Sequence, residues 1–147
     1  MPLEGEYAPP DPAPWVRAQI ETWERSGGIE GTTLGDTGLP VVIVVNRGAR
    51  SGLLRRTPLM RVEHGGSYLA VGSRGGAPSD PAWVSNLRAN PRVDVWDGPK
   101  RGDYTAREIS GAERAEWWKR AVAAFPSYAD YQQRTDRLIP LFVLEPV

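Results

Sequence analysis

No cysteine occurs in the 147-residue chain. Disulfides, thiol nucleophiles, iron–sulfur clusters and cysteine-based zinc sites are therefore excluded. His64 is the single histidine, which removes histidine clusters and Ser-His-Asp triads. Its place just before a hairpin turn reads as surface, with no catalytic role. Net charge is also missing: 18 basic and 18 acidic residues sum to 0, against bulk binding of nucleic acid or an anionic membrane. The most apolar run, Val41 to Val45, is far shorter than the ~20 residues of a membrane-spanning helix. The first residues carry Glu4 and Glu6 and no apolar run, so no signal peptide is expected, and the reading is a soluble cytoplasmic protein.

What is present is 40% hydrophobic residues, enough for one globular domain with a real core. Charge is uneven along the neutral chain. Arg47, Arg50, Arg55, Arg56 and Arg61 fall in one run with no acid before Glu63. A local basic patch on a neutral protein points to a discrete anionic ligand.

Residues 1–14 are proline-rich and read as an extended arm or disordered tail, ahead of a single domain over 15–147. Asp11-Pro12 reads as the start of a helix whose face carries Val16, Ile20 and Trp23 and which ends at Gly27-Gly28. Gly31–Leu34 and Leu39–Asn46 read as strands around a Gly-Asp-Thr-Gly turn. The second should be central, because Val41–Val45 is apolar on both faces. Arg55–His64 and Tyr68–Ser73 read as a hairpin about Gly65-Gly66. Pro58 within it implies an edge position or a bulge. Asp80-Pro81 should cap a short helix with Trp83, Asn86 and Leu87 on one face, stopped at Asn90-Pro91.

Val93–Trp96 and Tyr104–Ile109 read as another hairpin. Ser110-Gly111-Ala112-Glu113 reads as a capping box, opening a helix with Ala115, Trp118, Val122 and Phe125 on one stripe. Pro126 begins a further turn bearing Tyr128 and Tyr131, and Leu138–Leu144 closes as a strand. Six or seven antiparallel strands with helices between them lack the βαβ alternation of a Rossmann sheet. The expected class is mainly β (α+β): a six- to seven-stranded antiparallel split β-barrel with peripheral helices.

Two glycine loops, each holding an arginine, frame the central stretch: Gly48-Ala49-Arg50-Ser51-Gly52 and Ser73-Arg74-Gly75-Gly76. Glycine permits close backbone approach and positive φ, successive N–H groups in such loops cradle anions, and arginine adds charge-assisted bonds. Solvated surface arginines fit the same pattern equally well. Pro58 leaves a neighbouring carbonyl free to meet a planar ligand, although an ordinary edge strand would do the same. Trp83 suits the apolar part of a ligand or simply the core, and a buried Asn86 needs partners. Tyr128 and Tyr131 are candidate proton donors or half-buried packing residues.

The stretch RSGLLRRTPLMRVEHGGSYLAVGSRGGAPSDPAWVSNLRANPRV, with the ending YADYQQRTDRLIPLFVLEPV, resembles the deazaflavin (F420)-dependent nitroreductase family of actinobacteria, the A class of flavin/deazaflavin oxidoreductases. The resemblance covers roughly residues 15 to 147. It implies a split barrel and the coenzyme F420, an 8-hydroxy-5-deazaflavin with a phosphodiester and an oligoglutamate tail. By resemblance, Arg50, Ser51 and Arg55 hold the phosphate and tail. Pro58, Leu59 and Met60 lie along the deazaflavin; Val71, Ser73, Arg74, Gly75 and Gly76 form the other side; Trp83 and Asn86 complete the site. Tyr128 and Tyr131 match substrate-pocket tyrosines, one of them a proton source, and Ser73 joins them as a catalytic candidate. Two departures stand out: Arg50 and Arg74 replace frequent lysines, and Ser79-Asp80-Pro81 replaces a frequent Lys-His-Pro. The implied activity is hydride transfer from the reduced deazaflavin to an activated enone, quinone, lactone or nitro compound. The alternatives are an FMN-binding split-barrel oxidoreductase and a non-catalytic deazaflavin-binding protein. Expected partners are a small-molecule substrate and, for a quinone, peripheral contact with a membrane. No nucleic acid and no metal are expected, and the assembly is a monomer or homodimer.

Overall fold

The computed structural model describes residues 1–147. Seven strands, β1 (Val41–Arg47), β2 (Leu54–Met60), β3 (Glu63–His64), β4 (Ser67–Val71), β5 (Arg92–Asp97), β6 (Lys100–Glu108) and β7 (Leu141–Pro146), form one antiparallel sheet in the order β2-β1-β5-β6-β7-β4-β3. The outermost strands, β2 and β3, are separated in the chain only by Arg61 and Val62. A sheet whose two ends must meet across so short a link cannot lie flat, so it curls into a half-barrel. The seam is tied by Arg61 N–H donating to Pro40 O at 3.0 Å and Leu69 N–H to Val62 O at 2.8 Å. Four helices surround the sheet: α1 (Pro14–Ser26), α2 (Ala82–Ala89), α3 (Gly111–Ala124) and α4 (Ser127–Gln133). The split-barrel expectation is met.

β1 is buried along nearly its whole length because its two faces serve two cores. Val42 and Val44 point into the barrel, where Trp83, Val84 and Leu87 of α2 plug the interior. Val41, Ile43 and Val45 face outward with Trp23 of α1. A third cluster packs Trp117, Ala121 and Tyr128 of α3 and α4 on Leu69, Val71, Leu141 and Val143. Each fully buried aliphatic side chain contributes about 1.5–3 kcal/mol. Pro58, opposite Ile43, lies on β2 at the end of the sheet, where a missing N–H costs no ladder bond on the open side.

Several expected boundaries move, each for a local reason. The first helix begins at Pro14, not Pro12: Ala13 precedes a proline and sits extended at φ −74°, ψ 117°, and the Asp11 carboxylate accepts its N–H at 2.8 Å. Gly31–Leu34 forms no strand. The carbonyls of Gly31 and Thr33 accept the Gln19 amide at 3.0 and 2.8 Å, leaving one isolated bridge between Thr33 and Pro40. Arg55–His64 is two strands broken at the seam, so the Gly65-Gly66 hairpin pairs only two residues on each side, and most of β4 pairs with β7.

Neither expected cap closes. Asp80 pairs with Arg137, leaving Pro81 at the N-cap. Ser110 occupies its N-cap without a side-chain bond, and the Glu113 carboxylate, which would return the bond to the Ser110 N–H, is taken by Arg107 at 2.7 and 2.8 Å. The buried stripe of α3 is Trp117 and Ala121; Ala115 is exposed, and Trp118, Val122 and Phe125 are half-buried. The helix is rotated so that its sheet-facing side meets Val143 and Leu141, and Leu138 lies exposed outside the last strand.

The amino-terminal arm is extended and pinned along the edge strand. Leu54 N–H donates to Glu6 O and Ala8 N–H to Leu54 O, both at 2.8 Å, a parallel bridge at Tyr7. Arg47 reaches Glu4 O at 2.9 Å, and Leu3 N–H donates to the Asp94 carboxylate at 2.9 Å.

Candidate functional site

A cavity of about 940 Å3 opens between the arm, α1, the start of β2 and α2. The arm from Tyr7 to Pro12 supplies one wall and the face of α1 from Arg17 to Arg25 another, opposite Leu54–Thr57 and Trp83. Of the expected site residues, Arg55, Trp83 and Asn86 line it. Two lining cations are engaged by the protein. Arg17 donates to Asp11 O and Pro12 O at 2.9 and 3.0 Å. Arg56 lies 3.6 Å over the Tyr7 ring and 2.9 Å from the Glu24 carboxylate. Arg25 and Arg55 line the cavity with no ion pair or hydrogen bond of their own, so two guanidinium groups remain for an anion.

The first glycine loop joins β1 to β2. Gly52 (φ +70°) donates its N–H to Gly48 O at 3.0 Å, closing the turn. Asn86 anchors the loop from α2: its Oδ1 accepts the Ala49 N–H and its Nδ2 donates to Asn46 Oδ1, both at 2.9 Å. Asn46, wholly buried, donates onward to Thr57 Oγ1 at 3.0 Å and Val44 O at 3.1 Å. The Asn86 amide oxygen and one amide hydrogen are thus engaged in holding the loop. Arg50 and Ser51 are exposed; the Ser51 hydroxyl accepts the Leu53 N–H at 3.1 Å.

The second loop, after β4, is built differently. Arg137 donates to Gly72 O (3.1 Å), Ser73 O (2.7 Å), Ala77 O (2.9 Å) and the Asp80 carboxylate (2.8 Å). Arg74 holds a left-handed φ of 45°, unusual for a residue with a side chain, and reaches Ser79 Oγ at 2.6 Å. Gly76 permits a close approach: a Cβ there would lie 2.6 Å from Tyr131 O. Ser73 is buried at 8% exposure, whereas Arg74 and Gly75 are exposed.

α4 rests against this loop and carries the two expected tyrosines. Their rings lie 6.2 Å apart, edge to face, with Phe125 at 5.0 Å from Tyr128 and 6.0 Å from Tyr131. Met60 and Val71 belong to the same cluster. Burial, and then the neighbouring Tyr131, push the Tyr128 phenol well above its usual range, so it stays protonated at neutral pH. The expected residues therefore fall in two groups: Arg55, Trp83 and Asn86 at the cavity, and Met60, Val71, Ser73, Gly76, Tyr128 and Tyr131 around α4. Leu59 packs toward the barrel interior.

Sequence reasoning missed Asn46, Arg137 and the lining of α1 and the arm. A lone amide continuing the apolar run Val41–Val45 was a usable signal for Asn46. Arg137 gives none, since Gly72 and Ser73 lie 65 and 64 positions away.

A curled antiparallel half-barrel, with an arginine- and tryptophan-lined cavity at its edge strand, defines a cofactor-binding split-barrel protein. The model of the F420H(2)-dependent quinone reductase family matches residues 15–146, and the chain belongs to that family. An F420H(2)-dependent quinone reductase of Mycobacterium tuberculosis is 37% identical over 108 residues, 71% of this chain and 72% of that protein. A solved F420-H2-dependent reductase (FDR-A) is 54% identical, with a TM-score of 0.69 over 72% of this chain and 94% of its own. A second structure, described as a domain-swapped dimer, is 49% identical with a TM-score of 0.72, covering 92% of this chain and all of its own. The expected recognition is borne out, and with it an oxidoreductase using coenzyme F420. No helix is long and apolar enough to cross a membrane.

Proposed function

We propose that the chain is an F420-dependent quinone reductase whose coenzyme lies in the 940 Å3 cavity and across both glycine loops. The observation that carries this is the pairing, in one cavity, of the Trp83 indole with the unengaged Arg55 guanidinium. A planar ring bearing a phosphate and carboxylates needs both, and the volume lies within the usual range of ligand pockets, ~300–1,000 Å3. The bound coenzyme supplies hydride chemistry.

The chain's own residues bind, orient and protonate. Arg50, Ser51 and Arg55 take the phosphate and tail. Pro58, Leu59 and Met60 follow the ring, and Val71 with Ser73–Gly76 holds its far side. Trp83 covers its apolar part. Asn86 serves by fixing the first loop. Tyr128, held protonated, is suited to donate a proton and not to abstract one, with Tyr131 beside it. The cytoplasm is the compartment proposed. The domain-swapped relative makes a homodimer the assembly to test by light scattering.

Fluorescence titration with F420 should show saturable binding, and the reduced coenzyme should be oxidised on adding a quinone. No saturation would overturn the cofactor reading. Saturation without turnover across quinones, enones and nitro compounds would replace the enzyme by a deazaflavin-binding protein.

A further inference from the structure

Arg137 lies outside every residue assigned above, yet it makes more hydrogen bonds to the second glycine loop than any other side chain. Only 15% of its side chain is exposed. Its guanidinium collects three backbone carbonyls, those of Gly72, Ser73 and Ala77, and its charge is balanced by Asp80 at 2.8 Å, with Arg88 at 3.9 Å from the other carboxylate oxygen. A planar fork with five fixed donors suits this task, and an ammonium does not.

The grip has a consequence for the loop's other side. Ser73 is right-handed (φ −74°, ψ −42°), followed by left-handed Arg74 (φ 45°) and Gly75 (φ 63°, ψ 19°). With the carbonyls drawn toward Arg137, no turn or loop hydrogen bond engages the N–H groups of Ser73, Arg74 and Gly75. An αR–αL succession directs consecutive N–H groups toward a common point. A left-handed conformation at Arg74 is unfavourable for a residue with a side chain, and it persists only where the surroundings enforce it. The same clamp locks the loop to α4, since Gly76 packs on Tyr131 O and Arg137 follows α4 in the chain.

We propose that Arg137 is a positioning residue. It holds the Ser73–Gly75 backbone so that its N–H groups face the anionic coenzyme, with Asp80 as its counter-charge and not as a repulsive group toward the coenzyme tail. This rests on the cofactor reading above.

The test uses the full-length 15N-labelled chain, Arg137→Gln, Arg137→Lys and Asp80→Asn. F420 binding is followed by fluorescence, and the amide resonances of Ser73, Arg74 and Gly75 by NMR. In the wild type those three amides should shift on saturation. Arg137→Gln should weaken binding at least tenfold and abolish the shifts. Arg137→Lys should recover part of both, binding about threefold to tenfold more weakly than wild type. Asp80→Asn, which leaves the three carbonyl bonds in place, should change binding by less than threefold. Unchanged affinity and unchanged shifts in Arg137→Gln would overturn the proposal, and if that variant does not fold, the same outcome in Arg137→Lys would do so. If the wild type binds no F420, the cofactor reading fails separately. The ligand-free amide positions then decide the clamp: they must move in the Arg137 variants, and identical positions overturn it.

Discussion

The two glycine loops look alike in sequence and are held in opposite ways. Gly48–Gly52 is a turn between neighbouring strands, closed by its own backbone and steadied by a neutral amide, Asn86. Its arginine, Arg50, is exposed. Ser73–Gly76 is not closed by its flanking strands. It is gripped by a largely covered cation from across the fold and pressed onto the backbone of α4. Its arginine is strained and already bonded to Ser79. The same residue types thus serve a locally determined loop that offers a free charge and a tertiary loop that offers a fixed backbone.

Glycine substitutions break the comparison most sharply. Gly76→Ala puts a Cβ 2.6 Å from Tyr131 O and 2.9 Å from Arg134 Cβ, at a left-handed φ of +80°. Overpacking and backbone strain together should destabilise by about 3 kcal/mol, read from denaturant unfolding. Gly52→Ala, also left-handed but with nothing within 4 Å, should lose only about 1 kcal/mol. Equal losses would mean that the second loop is no more tightly packed than the first.

Next in size is the amide anchor. Asn86→Ala strands the Ala49 N–H and removes a donor from buried Asn46, at a cost of about 1–3 kcal/mol. Hydrogen exchange at Ala49 should rise strongly, while the amides of Ser73–Gly76 should be unmoved. Faster exchange in both loops would show that they are not independently held.

Charge removal should affect binding and leave folding alone. Arg55→Ala takes away a guanidinium with no partner in the protein, so stability should stay within about 0.5 kcal/mol. F420 affinity should fall roughly tenfold, an effect that shrinks as salt is raised. Arg50→Ala should act the same way more weakly, since Arg55 lines the cavity and Arg50 does not. A loss of stability in either variant, with affinity intact, would reverse the assignment.

Much of this was legible from the chain. The strands announced themselves through Val41–Val45 and through hairpin turns, and Pro58 marked the edge strand correctly, because proline's missing donor is a local fact. The glycine loops and Trp83 stand out locally as well, and their roles toward a ligand belong to the proposal above. What escaped depends on contacts between distant parts of the chain. Arg137 meets carbonyls more than sixty positions away. Asp80 reads as a cap, but its carboxylate is claimed by Arg137, 57 positions on; Glu113 is claimed by Arg107, only six positions earlier, a pairing that exists once β6 turns into α3. The prolines allow either an extended arm or a disordered tail; the arm is extended and pinned by backbone bonds to β2, which are available only once β2 is known to be an edge.

The smallest effect concerns the tyrosines that the second loop carries through α4. Tyr128 is buried, its hydroxyl makes no hydrogen bond within the protein, and its folded pKa is raised by burial and by Tyr131. Tyr128→Phe should therefore change stability at neutral pH by no more than about 0.5 kcal/mol. The sign at alkaline pH follows from linkage. A raised folded pKa means that the native state holds its proton more tightly than the unfolded one, so stability is intact below the unfolded tyrosine pKa of about 10 and falls as pH rises above it. Tyr68, raised by burial and its 2.6 Å bond to Asp97, contributes the same slope. Tyr128→Phe should flatten the alkaline decline without removing it, since Tyr68 remains. A decline as steep as wild type would mean that burial does not hold the Tyr128 proton, and α4 would then not be the closely packed support that the clamped loop implies.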